Sequence, residues 1–334
     1  MSAWSGQRDR DMRKITYCDA LNEAMYEEMV RDDRVFVLGE DVDIDGGVFN
    51  FTRRIADELG PRRCVGTPIS EEGFVGLSVG AAATGLRPIV EIMYMDFIML
   101  AMDQLVNQMA KLRYMSGGQF TMPVTIRAQS GHGTRESAQH SQSLEAWFAH
   151  TPGFKVCMPA TAYDAKGLLK AAIRDDNPVL VIENRIVLYD EEEVPEGEWI
   201  VPLGKADVVR SGTDVTVVAT AYSRHKALKA AAELEGRISV EVIDPRTIVP
   251  LDMEAILGSV AKTGRLLVVH ESPVRCGIGA EIVRRVVAEG FDYLDAPPIV
   301  HAGANIPIPF SPPLEDACLP QVETIVNAIE DLVR

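Results

Sequence analysis

Residues 66–92 read GTPISEEGFVGLSVGAAATGLRPIVEI, and this stretch constrains the fold more than any other. It predicts a helix that begins after Ser70 and carries Glu71 in its first turn. Small residues recur along the stretch, at Gly73, Gly76, Gly80, Ala81, Ala82, Ala83 and Gly85. Each interior glycine costs about 1 kcal/mol relative to alanine, so a close approach must offset that cost. Either another backbone or a bound cofactor would make the approach.

The bulk composition limits the classes of function. A length of 334 residues suggests two domains, and the chain has no apolar run long enough to span a bilayer. A net charge of −16 disfavours nucleic acid and anionic membrane as partners. Residues 1–14 form a polar lead-in without a signal or transit peptide, which indicates a cytoplasmic protein of bacterial type. The five scattered cysteines indicate reduced, structural thiols.

Strand and helix patterns alternate along the whole chain. This alternation predicts α/β units with mostly parallel sheets. We expect domains over residues 15–189 and 203–334, joined by a solvated linker over the glutamate- and proline-rich residues 190–202. Helices are predicted at 15–31, 70 onward, 97–115, 144–150, 162–174, 223–234, 252–262, 279–288 and 321–333.

Glu71 has two interpretations. As a first-turn carboxylate after a good N-cap, it could simply complement the helix dipole. The small residues behind it, and Phe97 at the start of the next helix, favour a binding site instead. Ligands of open α/β sheets collect at the carboxyl ends of the strands, where both residues are expected. A carboxylate with an aromatic face suits a flat, protonatable heterocycle.

Other candidate motifs are weaker. His140 lies in a polar loop, where solvent exposure competes with acid/base or anion-binding roles. The segment Asp175–Pro178 reads as a turn, although its oxygens could hold a hard cation. Gly277 and Gly279 lack the third glycine of a dinucleotide fingerprint, which argues against a nicotinamide site. The chain contains no Walker-type, nucleophile-elbow or zinc-like pattern.

A series of ordered segments resembles one family over residues 14–333. The segments are GEDV at 39–42, TPISE at 67–71, GLRP at 85–88, YMSGG at 114–118, QHSQS at 139–143, DAKGL at 164–168, AIRDDNP at 172–178, PLGKA at 202–206, KTGR at 262–265 and LDAP at 294–297. Together they resemble the β subunit of the thiamine-diphosphate-dependent first component of 2-oxo-acid dehydrogenase complexes, of the pyruvate and acetoin type.

The resemblance implies a transketolase-like pyrimidine-binding domain followed by a transketolase C-terminal α/β domain. It implies that Glu71 accepts a hydrogen bond from the aminopyrimidine ring nitrogen of thiamine diphosphate. Phe97 would stack on that ring, Ile69 would line its pocket, and His140 would face the substrate channel as a second catalytic residue. A potassium ion would be held, mostly by backbone oxygens, near Val124, Ala172, Ile173, Asp175 and Asn177.

The family also implies partners. Magnesium on the diphosphate is usually held by a Gly-Asp-Gly motif, which is absent from this sequence. A separate α chain would therefore supply the diphosphate and magnesium site, in an assembly of two α and two β chains, and the β chain alone would be inactive. The acidic C-terminal domain could also dock on the lipoyl acyltransferase core of the complex.

Two departures from the family pattern leave the substrate open. Gly66 stands where the family usually has an acid, and the loop from Ser130 to Ser137 is poorer in glycine than usual and carries Arg135 and Glu136. Pyruvate is favoured, with acetoin and branched-chain 2-oxo acids as alternatives. A non-catalytic docking subunit that kept the fold is the rival from a different class, and a complete transketolase-type enzyme lacks its Gly-Asp-Gly motif.

Overall fold

The computed structural model describes residues 11–334, so most of the predicted lead-in at 1–14 lies outside the described residues. The chain divides into two compact units. The N-terminal unit comprises residues 11–130 and 147–203, and the C-terminal unit comprises residues 131–146 and 204–334. No helix in the described part of the chain is both long and apolar enough to cross a membrane.

The elements up to residue 195 follow the predicted alternation. They are, in chain order, β1 (Met12–Thr16), α1 (Tyr17–Arg31), β2 (Val35–Glu40), α2 (Ile55–Leu59), β3 (Cys64–Thr67), α3 (Glu71–Ala83), β4 (Arg87–Tyr94), α4 (Leu112–Met115), β5 (Thr125–Ser130), α5 (Glu145–Ala149), β6 (Lys155–Cys157), α6 (Ala162–Arg174), β7 (Val179–Asn184) and β8 (Glu191–Pro195). Local signals start several helices. Thr16 closes a capping box with Asp19, and the Thr161 hydroxyl accepts from the Asp164 amide.

The sheet of the N-terminal unit has the strand order β6-β7-β5-β4-β2-β3, and these neighbours are parallel. Strands β2, β5 and β7 are buried along their full length, as a parallel sheet covered on both faces requires. Helix α3 follows β3 and leads into β4, so its first turn lies near the carboxyl ends of β2 and β3.

The helix predicted over 97–115 is wrong in its details. The segment is a 3₁₀ helix over Met95–Ala101, a π-helix over Asp103–Met109 and then α4. The Asp103 carboxylate accepts a hydrogen bond from the Asn107 amide at 2.7 Å, and the Ala110 amide donates five residues back to Leu105. The Ala110–Leu105 bond has the five-residue spacing that defines a π turn, whereas the Asp103–Asn107 contact has the four-residue spacing of an ordinary helix. Turns of the π type often lie at functional sites.

The solvated linker predicted over 190–202 is also wrong. Within it, β8 pairs antiparallel with β1, with Met12 opposite Pro195. Trp199 is buried, stacks on Tyr163 at 5.4 Å and donates its indole N–H to the Tyr163 carbonyl. The pairing with β1 and the Trp199 contacts join residues far apart in sequence, so composition alone could not indicate them.

The C-terminal unit holds a second sheet, in the order β14-β13-β10-β11-β9, with β9 antiparallel at the edge. Its elements are β9 (Asp207–Arg210), β10 (Val215–Ala219), α7 (Ser223–Glu233), β11 (Val240–Asp244), β12 (Thr247–Val249), α8 (Met253–Thr263), β13 (Leu266–Pro273), α9 (Ile278–Gly290), β14 (Ile299–Gly303), α10 (Pro312–Ala317) and α11 (Val322–Val333). The apolar faces of α7 and α11 share one core with the β10 and β11 valines. All five cysteines are free, as the sequence predicts.

A buried ion triad fastens the middle of the first sheet. Arg127 on β5 is fully buried and donates to Glu183 on β7 at 2.7 and 2.9 Å and to Glu91 on β4 at 2.8 Å. Its guanidinium also lies 4.4 Å from the centre of the Phe51 ring. Burial raises the pKa of both carboxyls even though Arg127 opposes the shift. Removal of the arginine would therefore leave two buried acids without their cation.

We predict that Arg127→Met lowers the unfolding free energy by about 3–5 kcal/mol, because it leaves the buried carboxylates without a cation. Denaturant unfolding of the purified chain measures the change. The matched control is Arg284→Met, which removes an exposed helical pair with Glu281 and should leave stability nearly unchanged. Equal losses in the two variants would contradict the prediction.

Candidate active site

The carboxyl ends of β2 and β3 bring three polar residues to one edge of the sheet. Glu40 ends β2 and pairs in register with Thr67, which ends β3. Glu71 begins α3 four residues later. This is the sheet edge at which open α/β folds bind their ligands.

Glu71 is buried but has no cation beside it. Its residue is 6% exposed, and across residues 11–334 its carboxylate forms no ion pair. Helix α3 begins at Glu71 as predicted, but Ser70 does not cap it with its side chain. The Ser70 hydroxyl instead donates to the Pro68 carbonyl at 3.2 Å. The Glu71 carboxylate is therefore available to a donor from outside the chain.

Glu40 is the functional candidate that the sequence reasoning missed. It is 7% exposed, and burial, followed by the charges of Glu71 and Asp41, raises the pKa of its carboxyl to about 7. The sequence feature that could have indicated Glu40 is an acid at the carboxyl end of the buried run VFVLGE. Glu40 lies inside the GEDV motif, but no role could be assigned to it from sequence, because its coupling to Glu71 depends on the tertiary fold.

Two polar atoms at this edge lack partners. Within the described chain, Glu40 Oε1 and Thr67 Oγ1 are buried and make no hydrogen bond. Buried polar atoms are nearly always paired, so exceptions require an explanation. The polar groups here are two carboxyls and a hydroxyl, whose oxygens can accept hydrogen bonds from a ligand that presents N–H groups.

An open hollow of about 600 Å³ lies beside Glu71. Ser70, Gly73 and Gly76 of the α3 region form one wall, and Leu100 and Gln104 form the other. A Cβ placed on Gly80 would meet no atom of the described chain outside its own helix within 4 Å, and Leu77 is 53% exposed. The small-residue face of α3 is thus open at Gly80, where packing within this chain does not explain the glycine, whereas a Cβ on Gly76 would approach the Gln104 side chain.

The predicted aromatic residue belongs to the same unit. Phe97 is half-buried in the 3₁₀ segment that packs against α3, and its ring meets Tyr94 edge-on at 5.5 Å. Ile69 precedes the helix and is 83% exposed. The structure therefore places Ile69, Glu71 and Phe97 in the N-terminal unit, on the loop before α3, at its first residue and on the segment packed against it.

His140 falls in the other unit. It lies in segment 131–146, which belongs to the C-terminal unit, and it is half-buried. Its backbone N–H donates to the Ser137 carbonyl at 3.4 Å. Within the C-terminal unit it is therefore held by a short turn of its own segment.

The predicted cation ligands surround the end of α6. Val124 precedes β5, Ala172 and Ile173 lie in the last turn of α6, and Asp175 and Asn177 follow it. Arg87 donates to the Ile173 and Asp175 carbonyls at 2.6–3.0 Å, and Lys155 pairs with the Asp175 carboxylate. Among residues 11–334 no cluster of three His, Cys, Asp or Glu side chains could hold a metal ion. The Ile173 carbonyl accepts two of these Arg87 donors, whereas the Asp175 carbonyl accepts one and keeps a second lone pair that a hard cation could use.

The Gly66 departure has a local explanation. A Cβ at this position would overlap the carboxylate of Asp43. An acid therefore occupies this space from a neighbouring loop, although position 66 itself carries none.

Comparison with known protein families identifies both units. The family described as "Transketolase, pyrimidine binding domain" matches residues 13–190, and "Transketolase, C-terminal domain" matches residues 204–325. A solved structure described as "Split gene transketolase, inactive beta4 tetramer" superposes with a TM-score of 0.78 at 22% identity, over 96% of this chain and 98% of that chain. The predicted transketolase-like fold is confirmed.

Curated relatives cover nearly the whole chain. It is 49% identical over 322 residues to the pyruvate dehydrogenase E1 component subunit beta of Rhizobium meliloti, which spans 96% of this chain and 70% of that protein. It is 46% identical to the protein of the same name in Rickettsia bellii, over 95% of this chain and 98% of that protein. It is 45% identical to the acetoin:2,6-dichlorophenolindophenol oxidoreductase subunit beta of Bacillus subtilis, over 96% and 98%.

We predict that Glu40→Gln stabilises the chain relative to its parent as the pH rises. A carboxyl whose pKa is raised to about 7 gives stability that is full below the unfolded pKa and lost as pH rises through 7. The advantage of Glu40→Gln should therefore grow between about pH 4.5 and 7 and then level off. Screening by solvent limits it to on the order of 1 kcal/mol.

Thermal unfolding from pH 3 to 8 measures this difference. Glu58→Gln is the control of opposite sign, because Arg54 and Tyr26 lower the pKa of the Glu58 carboxyl. That variant should lose relative stability as the pH rises from 3 to the unfolded carboxyl pKa of 4.5 and then level off. A Glu40→Gln advantage independent of pH would show that Glu40 is ionised throughout.

Proposed function

We propose a function for this chain from the premise that it belongs to the transketolase-like family of E1 β subunits of pyruvate and acetoin dehydrogenase. With an α chain it would carry out the thiamine-diphosphate-dependent oxidative decarboxylation of a 2-oxo acid, pyruvate in first place. The acyl group would pass to a lipoyl group. The observation that carries this proposal is the buried carboxyl of Glu71, which lines an open hollow and lies near enough to Glu40 to help raise the pKa of that carboxyl.

The residues present fit the aminopyrimidine half of the cofactor. Glu71 would accept a hydrogen bond from the ring nitrogen, and the orphaned Glu40 Oε1 and Thr67 Oγ1 are further polar groups at the same edge. Phe97 would supply the aromatic face and Ile69 an apolar wall. When bound, thiamine diphosphate would supply the carbon nucleophile and the electron sink for decarboxylation.

Glu71 would act by holding a proton at the ring nitrogen. Because the site is buried, the carboxylate interacts more strongly with a charge there than it would in water. Glu40, with its carboxyl pKa near 7, would be largely protonated below neutral pH and would then add no second negative charge. In their different environments, Glu71 would thus accept a hydrogen bond as a base, and Glu40 would donate one as a neutral acid.

The other half of the cofactor site would lie on the partner. The missing Gly-Asp-Gly motif assigns the diphosphate and its magnesium to the α chain, with the cofactor between the chains. The open face of α3, with Gly73 and Gly80 exposed, is a surface that such a partner could approach closely. An assembly of two α and two β chains, docking on a lipoyl acyltransferase core, belongs to the same proposal. A cytoplasmic location also remains a prediction.

His140 would handle the substrate carboxylate or the incoming lipoyl group. An imidazole can change its charge near neutral pH, which suits either task. Acetoin is the second candidate substrate, because a relative at 45% identity is a subunit of an acetoin oxidoreductase.

Reconstitution with the cognate α chain tests the function. The two chains together, with thiamine diphosphate and magnesium, should decarboxylate pyruvate and reduce a lipoyl acceptor, while either chain alone should not. Acetoin and branched-chain 2-oxo acids complete the substrate panel. Activity on none of them in a properly assembled complex would favour the non-catalytic docking subunit.

In that complex, Glu71→Gln should lower turnover at least a hundredfold with the fold intact, the usual scale for a positioned acid/base group. The matched control is Glu323→Gln, an exposed glutamate in the first turn of α11. Both changes remove a charge that favours a helix N-terminus, so both cost a similar small stability. Near-parental turnover in Glu71→Gln would leave Glu71 with the helix-dipole role alone.

A potassium site near Ala172, Ile173, Asp175, Asn177 and Val124 remains part of the proposal. Potassium chloride should raise the unfolding temperature of the chain above that in sodium chloride of equal ionic strength. The matched ionic strength removes general screening as a cause. Identical temperatures in the two salts would indicate that Arg87 alone serves the Ile173 and Asp175 carbonyls.

A further inference from the structure

The loop at residues 131–137 has an unusual backbone. Arg135 and Ser137 have φ angles of 63° and 66°, in the left-handed region that non-glycine residues rarely adopt. Gly131 and Gly133 are also left-handed, each with φ of 98°. Such a conformation persists only where surrounding contacts hold it.

Helix α10 holds this loop at two points. Arg135 Nη1 donates to Glu315 Oε2 and Asp316 Oδ1, each at 2.8 Å, and to the Pro312 carbonyl at 3.0 Å. The Gly133 amide donates to Glu315 Oε1 at 2.6 Å. We call Gly133, Arg135, Glu315 and Asp316 the Arg135 clamp. All of these residues belong to the C-terminal unit.

The clamp differs from an ordinary surface ion pair. Glu315 is fully buried, and both of its oxygens are used by the loop. Exposed pairs contribute little, whereas removing the partner of a buried charge leaves that charge uncompensated. Lys226 also faces Glu315, Asp316 and Glu271, but its ammonium donates to the Pro320 carbonyl. Arg135 is therefore the cation that forks directly onto both acids.

The loop leads directly into the turn that holds His140. The His140 backbone N–H donates to the carbonyl of Ser137, the left-handed residue two positions beyond Arg135. We propose that Arg135 is a positioning residue for His140, and that the clamp fixes the segment that handles the 2-oxo acid or its lipoyl acceptor. This inference rests on the proposed function, because the role of His140 is part of that proposal.

Variants of Arg135 in the enzyme reconstituted with its cognate α chain test the inference. Arg135→Ala should lower kcat for the 2-oxo acid about tenfold, because small displacements of a reacting group are costly. KM should stay within about twofold, because the loss of an interaction that is made only in the transition state lowers kcat and leaves KM unchanged. Arg135→Lys keeps the charge but not the fork, so it should restore part of kcat. Arg284→Ala is the control, because Arg284 forms an exposed pair on α9, and this substitution should leave kcat unchanged.

A double-mutant cycle with His140→Ala decides whether Arg135 acts through His140. In the His140→Ala background, Arg135→Ala should cause no further loss of kcat. The same tenfold loss in both backgrounds would overturn the inference. A fall in unfolding temperature with kcat unchanged would also overturn it, because the clamp would then serve only the fold.

Hydrogen exchange provides a readout that does not need activity. Peptides covering residues 131–143 should exchange faster in Arg135→Ala than in the parent, while peptides of α9 should not change. If the assembled parent is inactive on every substrate, the proposed function fails, and unchanged exchange would still overturn the clamp. If Arg135→Ala does not fold, Asp316→Asn removes one exposed partner of the fork and should give the same result in smaller measure.

Discussion

Arg127 ties together the strands on which the candidate site depends. Its guanidinium joins Glu91 on β4 to Glu183 on β7 across its own strand, β5. Glu91 lies opposite Gly39 in the register of β2, and Gly39 is the neighbour of Glu40. A slip of one residue in this register would turn each side chain to the other face of the sheet. The buried triad therefore favours one alignment of β4, β5 and β7, and β4 pairs in turn with β2, the strand that ends at Glu40.

This edge shows which parts of the site a sequence can reveal. The start of α3 at Glu71 was predicted correctly because its signal is local: a small-residue run after a turn. Glu40 was present in a recognised motif but had no role assigned. Its raised carboxyl pKa comes from burial and from Glu71, and both depend on the pairing of β2 with β3. Electrostatic coupling between side chains on different strands cannot be predicted from the sequence of any one segment.

The two wrong predictions have different causes. The 97–115 segment has helical periodicity, but its backbone hydrogen bonds follow 3₁₀ and π patterns, as in the bond from the Ala110 amide to the Leu105 carbonyl. Residues 190–202 have the composition of a linker, yet β8 pairs with β1 about 180 residues earlier, and Trp199 stacks on Tyr163. The fold class follows from alternation, whereas the β8 pairing and the Trp199 contact join residues far apart in sequence. The roles of the site residues came from the resemblance to a family, because neither periodicity nor composition could indicate them.

The cofactor site and the Arg135 loop are expected to have different roles, the first in the chemistry and the second in the choice of substrate. In the proposed function, Glu71 and the α3 face would serve one half of the cofactor site, so they would not distinguish pyruvate from acetoin, and relatives named for either substrate are 45–49% identical to this chain. Arg135, by contrast, departs from the glycine-rich pattern and requires a left-handed backbone that α10 must hold. A residue that adopts a costly conformation and neutralises a buried acid is expected where a segment must keep one geometry. Differences in substrate between such enzymes should therefore lie in how this loop is held rather than in the carboxylates beneath the cofactor.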